Sequence, residues 1–489
     1  MEYSTLDQKV VHRHETSSST CISTNTKALP QLNFDVLHEV MRQVQRRTLL
    51  HMMYTCRALY QSGVPLLLAS EIRFNLDWGL RRFYSFYRYV VANVSRCQHL
   101  RSLALDLLYA NICERTGLIR EALLAVAHNA SNLESLHITG YIFHLDPRYA
   151  EAFGSLKNLK QLRIHQYDAT TVPLLSHLKS PLRHLDITFS SSFTESTENG
   201  FIEAVKPYYE TLETIRASRC SLPDILEPTV AFTHITSLHF RDLLNCDGPF
   251  LMKSFPNLRD LSVIGDRNRT EFSPRTIRQK SIAEQLRSKC GWPSLDTFAG
   301  SVLWLYAWGI ICPIHNLSLE DASCDIHPAF YLDVCKVAKP SQLYIASATG
   351  QHMYGIIGGI VPTVRTFKLY TSNLRLPSME NPLRTWQSSV PLTSSLTELT
   401  LVFDMYHTEN NACQPPFHDG NLSRELADAF HLLQSIQVIL NWSRQEHSCI
   451  IWEVERLDER VQLHERMTER RECAGVRAPQ NACECIRIG

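Results

Sequence analysis

The sequence predicts an α/β fold: a curved parallel sheet backed by outer helices, built from stacked repeats and preceded by a small helical domain. Two observations carry this expectation. A seven-residue phrase with apolar residues at its second, fifth and seventh positions returns along the chain, and the segments between its copies have helical spacing. Ahead of the first copy, residues 32–68 read LNFDVLHEVMRQVQRRTLLHMMYTCRALYQSGVPLLL, an apolar block behind a tail of Ser, Thr and charge.

The 489 residues suffice for two or three domains or for one extended repeat array. The 49 basic residues match the 49 acidic ones, so nothing global points to nucleic acid or a membrane surface. The longest strongly apolar stretch, VLWLYAWGIIC at 302–312, falls short of the roughly 20 residues of a spanning helix. The opening MEYSTLDQKVVHRHE lacks the apolar centre of a signal peptide. Fifteen unevenly spaced cysteines, an odd number, suit a reducing compartment. The triplet Asn316-Leu317-Ser318 falls on an expected buried strand, so it reads as chance rather than as a glycosylation site. These features predict a soluble protein of the cytoplasm and/or nucleus, with neither nucleic acid nor membrane as a partner.

Residues 1–28, with ETSSSTCISTNTK, cannot bury a core and predict a disordered tail. Order is expected from Leu29, in a helical domain over 29–70. Asn33 is an N-cap and Asp35 complements the first-turn dipole. Val36, Leu37, Val40, Met41 and Val44 then form one helical stripe, which QRR breaks. Thr48 is expected to cap a second helix bearing Leu49, Leu50, Met52, Met53 and Cys56. A third segment carries Leu59 and Tyr60, and Pro65 opens a further turn. Three short helices make a poor independent core. Some of their apolar surface must be covered by the rest of the chain or by another protein.

This block resembles an F-box, the module by which substrate receptors dock on the Skp-type adaptor of cullin–RING ubiquitin ligases. The matching residues are Leu32, Asp35-Val36-Leu37, Val40-Met41, the Leu49-Leu50 pair and the ending Cys56-Arg57-x-Leu59-Tyr60. Both ends are similar to fungal versions. Asn33 stands where Pro is usual, Asp35 where Glu is usual and Tyr60 where Trp is common, while Leu29-Pro30 offers the Leu-Pro pair three residues early. The resemblance covers about 40 residues and implies adaptor binding through Leu32, Val36, Leu37, Val40, Met41, Leu49, Leu50, Met53 and Leu59. All but the first and last of these are expected to be partly exposed in the isolated chain.

Next, EIRFNLD alternates as a strand and WGLRRFYSFYRYVVANVSRC has helical periodicity. The phrase then runs HLRSLAL (99–105), NLESLHI (132–138), NLKQLRI (158–164), PLRHLDI (181–187), TLETIRA (211–217), HITSLHF (234–240), NLRDLSV (257–263) and SLDTFAG (294–300). Degraded copies follow: PIHNLSL (313–319), PSQLYIA (340–346), TVRTFKL (363–369), SLTELTL (395–401) and LQSIQVI (433–439). Three matching apolar positions arise by chance at roughly one site in thirty, about 15 times in a chain this long, so the bare pattern decides little. The polar or Pro lead residue, the wording Leu-[Arg/Lys/Glu]-x-Leu and the period decide more. The middle apolar residue falls at 103, 136, 162, 185, 215, 238 and 261, in steps of 33, 26, 23, 30, 23 and 23 residues. EALLAVAHNA, FIEAVKPYYE and SIAEQLRSKC supply intervening helices. This is a leucine-rich-repeat pattern over 71–445, firmest over 97–265, in which each unit buries its apolar face against its neighbours. Its asparagine ladder is mostly missing, because only Cys220 meets the usual Asn or Cys position. Residues 266–280 and 406–420 read as exposed loops.

Nothing in the chain reads as a catalytic or cofactor motif. A doubly wound enzyme would need a Gly-rich phosphate turn after a strand, and YGIIGGIVP (354–362) lacks that spacing. Cys473, Cys483 and Cys485 lack a second tight pair for zinc and read as free, and Cys485 is misplaced for prenylation. Neither Gly-x-Ser-x-Gly nor His-Glu-x-x-His occurs, and the 21 histidines do not cluster at ligand spacing. No enzyme, metal or cofactor is expected. Residues 446–489 predict a charged helix, IIWEVERLDERVQLHERMTERRE at 450–472, and a tail.

In each repeat strand the second and third Leu-type residues point inward, so their alternating neighbours face the concave surface. From the second to the sixth repeat those neighbours include His137, Arg163, His165, His184, Asp186, Arg216, His239 and Arg241: three arginines and four histidines against one carboxylate. Such a stripe predicts binding of an acidic or phosphorylated protein segment, with the histidines adding charge below about pH 6.5. The F-box resemblance then implies a substrate receptor joining that target to a Skp-type adaptor and cullin core. The alternative is a repeat scaffold whose N-terminal helices only cap the first strand.

Overall fold

The computed structural model describes residues 33–76, 80–107, 116–140, 142–190, 200–222, 230–243, 246–265, 274–321, 328–347, 363–372, 395–404, 423–424, 427–428, 430–441, 447–457 and 460–468. The expected tail and loop 406–420, and the YGIIGGIVP segment and C-terminal cysteines, lie outside these residues. The chain divides into two compact units, Met1–Leu67 and Leu68–Gly489.

The first unit is helical. α1 spans Phe34–Gln43 and begins as its sequence dictates: the Asn33 side chain accepts a hydrogen bond from the Asp35 N–H at 3.0 Å. α2, Arg46–Met53, starts earlier than expected, after Gln45, which makes no side-chain cap. Extended Val44 and Gln45 already turn the chain, so Thr48 falls inside the helix and caps nothing. α3, Arg57–Ala69, runs continuously through Pro65, which was expected to open a separate turn. Gly63 explains how closely these helices meet. A Cβ at that position would lie 2.3 Å from Cγ of Met53 and 2.8 Å from Cε of Met41, so two of the apolar stripe residues pack directly on α3.

The second unit is α/β, with one 16-stranded sheet whose strands pair strictly in chain order. Its strands are β1 (Ile72–Asn75), β2 (Ser102–Leu107), β3 (Ser135–Gly140), β4 (Gln161–Tyr167), β5 (His184–Phe189), β6 (Thr214–Ser218), β7 (Ser237–Arg241) and β8 (Asp260–Ile264). They continue as β9 (Leu295–Gly300), β10 (Ile314–Asp321), β11 (Gln342–Ser347), β12 (Thr366–Ser372), β13 (Glu398–Asp404), β14 (Ser435–Asn441), β15 (His447–Leu457) and β16 (Arg460–Thr468). Pairing is parallel from β1 to β14 and antiparallel through β15 and β16. Each of the thirteen recurring phrases lies on one strand from β2 to β14. Such sequential parallel order is compatible with a solenoid.

All three apolar positions of the phrase are internal. Leu133, Leu136 and Ile138 are fully buried, as are Leu159, Leu162, Ile164 and their counterparts Leu182, Leu185 and Ile187. Helices return between strands, for example Thr116–Asn129, Arg148–Gly154 and Gly200–Val205, and pack on the apolar strand side, as Phe201 does edge-on against Phe240 of β7. Helix Pro274–Ser288 occupies the second half of the segment expected as the 266–280 loop.

The missing asparagine ladder is replaced by one at the lead position. Asn132, Asn158 and Asn257 each donate a side-chain N–H to a carbonyl of the preceding repeat, those of Gln98, Ser131 and Thr233, at 2.8–2.9 Å. The residue after the first Leu gives a second tie. The carbonyls of Arg101, Glu134, Lys160 and Arg183 each accept two backbone N–H groups of the next repeat. Glu134 stands between two cations of this series, and Arg101 and Lys160 both reach it, at 3.4 and 2.7 Å.

The C-terminal segment departs from expectation. Residues 450–472 were expected to be helical, but β15 and β16 form an antiparallel hairpin on β14. Ile450, Trp452 and Val454 alternate at period 2, as do Val461 and Leu463. The open edge of β14 rewards that alternation with a full backbone ladder.

Candidate functional site

The residues of the F-box-like block separate into two groups. Met41, Leu49, Met53 and Leu59 are buried, which corrects the expectation that the first three would be partly exposed. With Val64 of α3 they are turned inward, and Met41 and Met53 pack around Gly63. Val36 and Val40 stay 51% and 41% exposed on α1, and Leu37 and Leu50 are half-buried. Phe34, one turn before Leu37, is 42% exposed as well. Leu32 lies outside the described residues.

The second candidate is the polar side of strands β1–β7. The ladder register sets Arg73, Ala104, His137, Arg163, Asp186, Arg216 and His239 side by side in one row, with neighbours about 4.8 Å apart. On the N-terminal side of this row His184 pairs with Gln161 and Thr214, and on the other side lie His165 and Arg241. Every residue expected to bind target is therefore on one face. A cleft of about 360 Å³ opens there over β1–β6, lined by Arg73, His137, Arg163, His184, Asp186 and Arg216 among others. His165, His239 and Arg241 flank it without lining it.

Its electrostatics differ from a simple basic stripe. Arg163 Nε lies 2.7 Å from Asp186 Oδ2, so the carboxylate of the row neutralises its central arginine. Arg73 pairs with Glu71 at 3.1 Å. Arg216 and Arg241 are exposed and have no ion-pair partner among the described residues. His137, His165 and His239 do not add charge near pH 6.5 as expected. Burial, then the neighbouring His165 and Arg163, pull the His137 pKa down to about 4. Burial also lowers His165 and, with Arg216, His239. The rings are held in place: His137 and His165 lie 5.2 Å apart, His165 Nδ1 meets Thr188 Oγ1 at 3.3 Å, and His239 Nε2 meets Ser237 Oγ at 3.0 Å. His137 Nε2 is buried and has no hydrogen-bond partner.

No protein-family model matches the chain, and no curated protein matches it significantly. The site's chemistry is therefore argued from its own groups. Among the described residues no cluster of His, Cys, Asp and Glu could hold a metal ion, and no helix is long and apolar enough to cross a membrane. Cys220, at the one matched ladder position, is buried, which holds its thiol well above the ordinary range. The face carries held imidazoles, a cleft, and two exposed arginines without an ion-pair partner among the described residues.

Proposed function

We propose that this chain is the target-recognition subunit of a Skp–cullin–F-box ubiquitin ligase. In this reading the helical unit docks on the Skp-type adaptor, and the polar face of β1–β7 holds a protein target. The observation that supports docking is the apolar pair at water on α1, where Val36 and Val40, one turn apart on one face, remain exposed although amphipathic helices normally turn such residues inward. The receptor needs no catalytic group of its own. It holds the target close to a ubiquitin-charged enzyme and acts by raising effective concentration, in the cytoplasm and/or nucleus where that machinery works.

A second reading, a repeat scaffold without a ligase connection, is favoured by one observation: Met41, Leu49, Met53 and Leu59 are already consumed by the unit's own core. Co-purification with a Skp-type adaptor separates the two. The wild-type chain is expected to capture the adaptor. The double variant Val36→Asp, Val40→Asp, altered only at exposed positions, is expected to lose on the order of 2 kcal/mol or more of that binding. A wild-type chain that captures no adaptor overturns the ligase connection and leaves the scaffold.

A further inference from the structure

Where the cleft ends, strands β6 and β7 bring the two unpaired arginines of the face together. Arg216 stands beside His239, and Ser218 stands beside Arg241, so these four residues mark the corners of one patch. Arg216 and Arg241 are diagonal neighbours, one strand apart and two residues along, which the sheet spacings convert to about 8 Å between Cα atoms. Ile215, Ala217, Leu238 and Phe240 alternate with them and are buried on the other side, so both arginines leave the polar face. Long side chains meet across such a diagonal. Both arginines are exposed and neither has an ion-pair partner among the described residues. The strands themselves, TIRAS and SLHFR, contain no carboxylate. Of the carboxylates on the flanking strands, Asp186 lies beside Arg216 but is engaged by Arg163 at 2.7 Å, and Asp260 lies beside Ser237 rather than either arginine. Two like charges thus stand close together with no counter-charge of their own.

We propose that Arg216 and Arg241 together grip one phosphoryl group carried by a side chain of the protein target. Each guanidinium presents a two-pronged fork. A carboxylate has two oxygens and one charge, which a single fork satisfies. A phosphoryl group has three terminal oxygens and close to two charges at neutral pH, so two forks can share it and its charge matches theirs. The Arg163–Asp186 pair borders the patch and keeps Asp186 from closing on Arg216 in place of the ligand. The inference rests on the reading of this face as target-binding, and it is independent of the ligase connection.

The test titrates inorganic phosphate into the full-length chain and follows its phosphorus NMR signal, with chloride holding ionic strength constant. One saturable site is expected. Arg216→Ala and Arg241→Ala should each weaken it about tenfold or more, the size of a lost charged hydrogen bond. Arg183→Ala, at the edge where Arg183 pairs with Glu213, should leave it intact. Arg216→Lys with Arg241→Lys keeps both charges and removes both forks, and should still weaken the site. The tripeptide Gly-phosphoserine-Gly should displace the phosphate, and Gly-Glu-Gly should not. Circular dichroism of each variant confirms folding. Absence of saturation, an unchanged site in either alanine variant, or full binding by the lysine pair overturns the proposal. Phosphate that saturates the site but is not displaced by the phosphopeptide overturns the protein source, and with it the reading of this patch as target-binding. The same preparations are assayed for adaptor capture. Capture without a phosphate site overturns this inference alone, and a phosphate site without capture overturns the ligase reading alone.

Discussion

His137 shows how a strand face can set the properties of one residue. Its ring sits between β2 and β4, beside Arg163 and His165, and burial keeps it neutral with a pKa of about 4. In the unfolded chain the ordinary value near 6.5 returns. Between those two values the unfolded state binds more protons, so this residue contributes stability that is present at neutral pH and is lost as pH falls from about 6.5 toward 4. Urea unfolding at pH 7 and pH 4.5 should therefore show a fall in stability that is smaller by about 2 kcal/mol in His137→Asn than in wild type. Equal acid sensitivity of the two proteins would show that the ring is not held neutral by the fold. The sequence shows where His137 lies but not its charge state, because burial and cross-strand neighbours set that state. Arg163 is a parallel case. Its position was legible, but its ion pair with Asp186 came from strand register, and it leaves the face with two unpaired arginines instead of three.

At the scale of elements, strands were more legible than their ends. Every copy of the phrase, including the degraded PSQLYIA and TVRTFKL, became a strand, because each copy needs only three apolar residues at fixed parity to be drawn into a growing sheet. What the period did not carry was the cross-repeat stitching by Asn132, Asn158 and Asn257, which uses polar residues adjacent to the apolar pattern. Helix termini were missed for a related reason: Thr48 and Pro65 carry local signals that tertiary packing overrode. The end of β9 shows a tighter constraint. Gly300 has φ +152°, and a Cβ there would stand 2.2 Å from the carbonyl oxygen of Val263 on the neighbouring strand. Neither backbone can give way without breaking the β8–β9 ladder. Gly300→Ala should cost about 2 kcal/mol or more, read as a lowered thermal midpoint. Gly291→Ala, where nothing lies within 4 Å, should leave the midpoint close to wild type.

At the scale of the whole molecule, formal net charge is zero, with 49 basic and 49 acidic side chains. Such a chain has no long-range field to steer an anionic target, so any electrostatic attraction must come from the face itself. On β3–β7 the unpaired cations are Arg216 and Arg241, because Asp186 cancels Arg163 at short range. Both are exposed, and screening over a Debye length of about 10 Å at 0.1 M salt reaches them fully. Target affinity should therefore fall only modestly with salt, and the double variant Arg216→Ala, Arg241→Ala should abolish that dependence. Arg183→Ala, at the ion-paired edge of the repeats with Glu213, should leave it unchanged. If the chain bridges target and adaptor, the two activities must also separate. The arginine variant should keep adaptor capture and lose target ubiquitylation, whereas Val36→Asp with Val40→Asp should keep target affinity and lose ubiquitylation equally. Each loss would come from breaking one arm of a tether whose effect is multiplicative. A target still ubiquitylated at the wild-type rate by both variants would show that these two surfaces are not the arms.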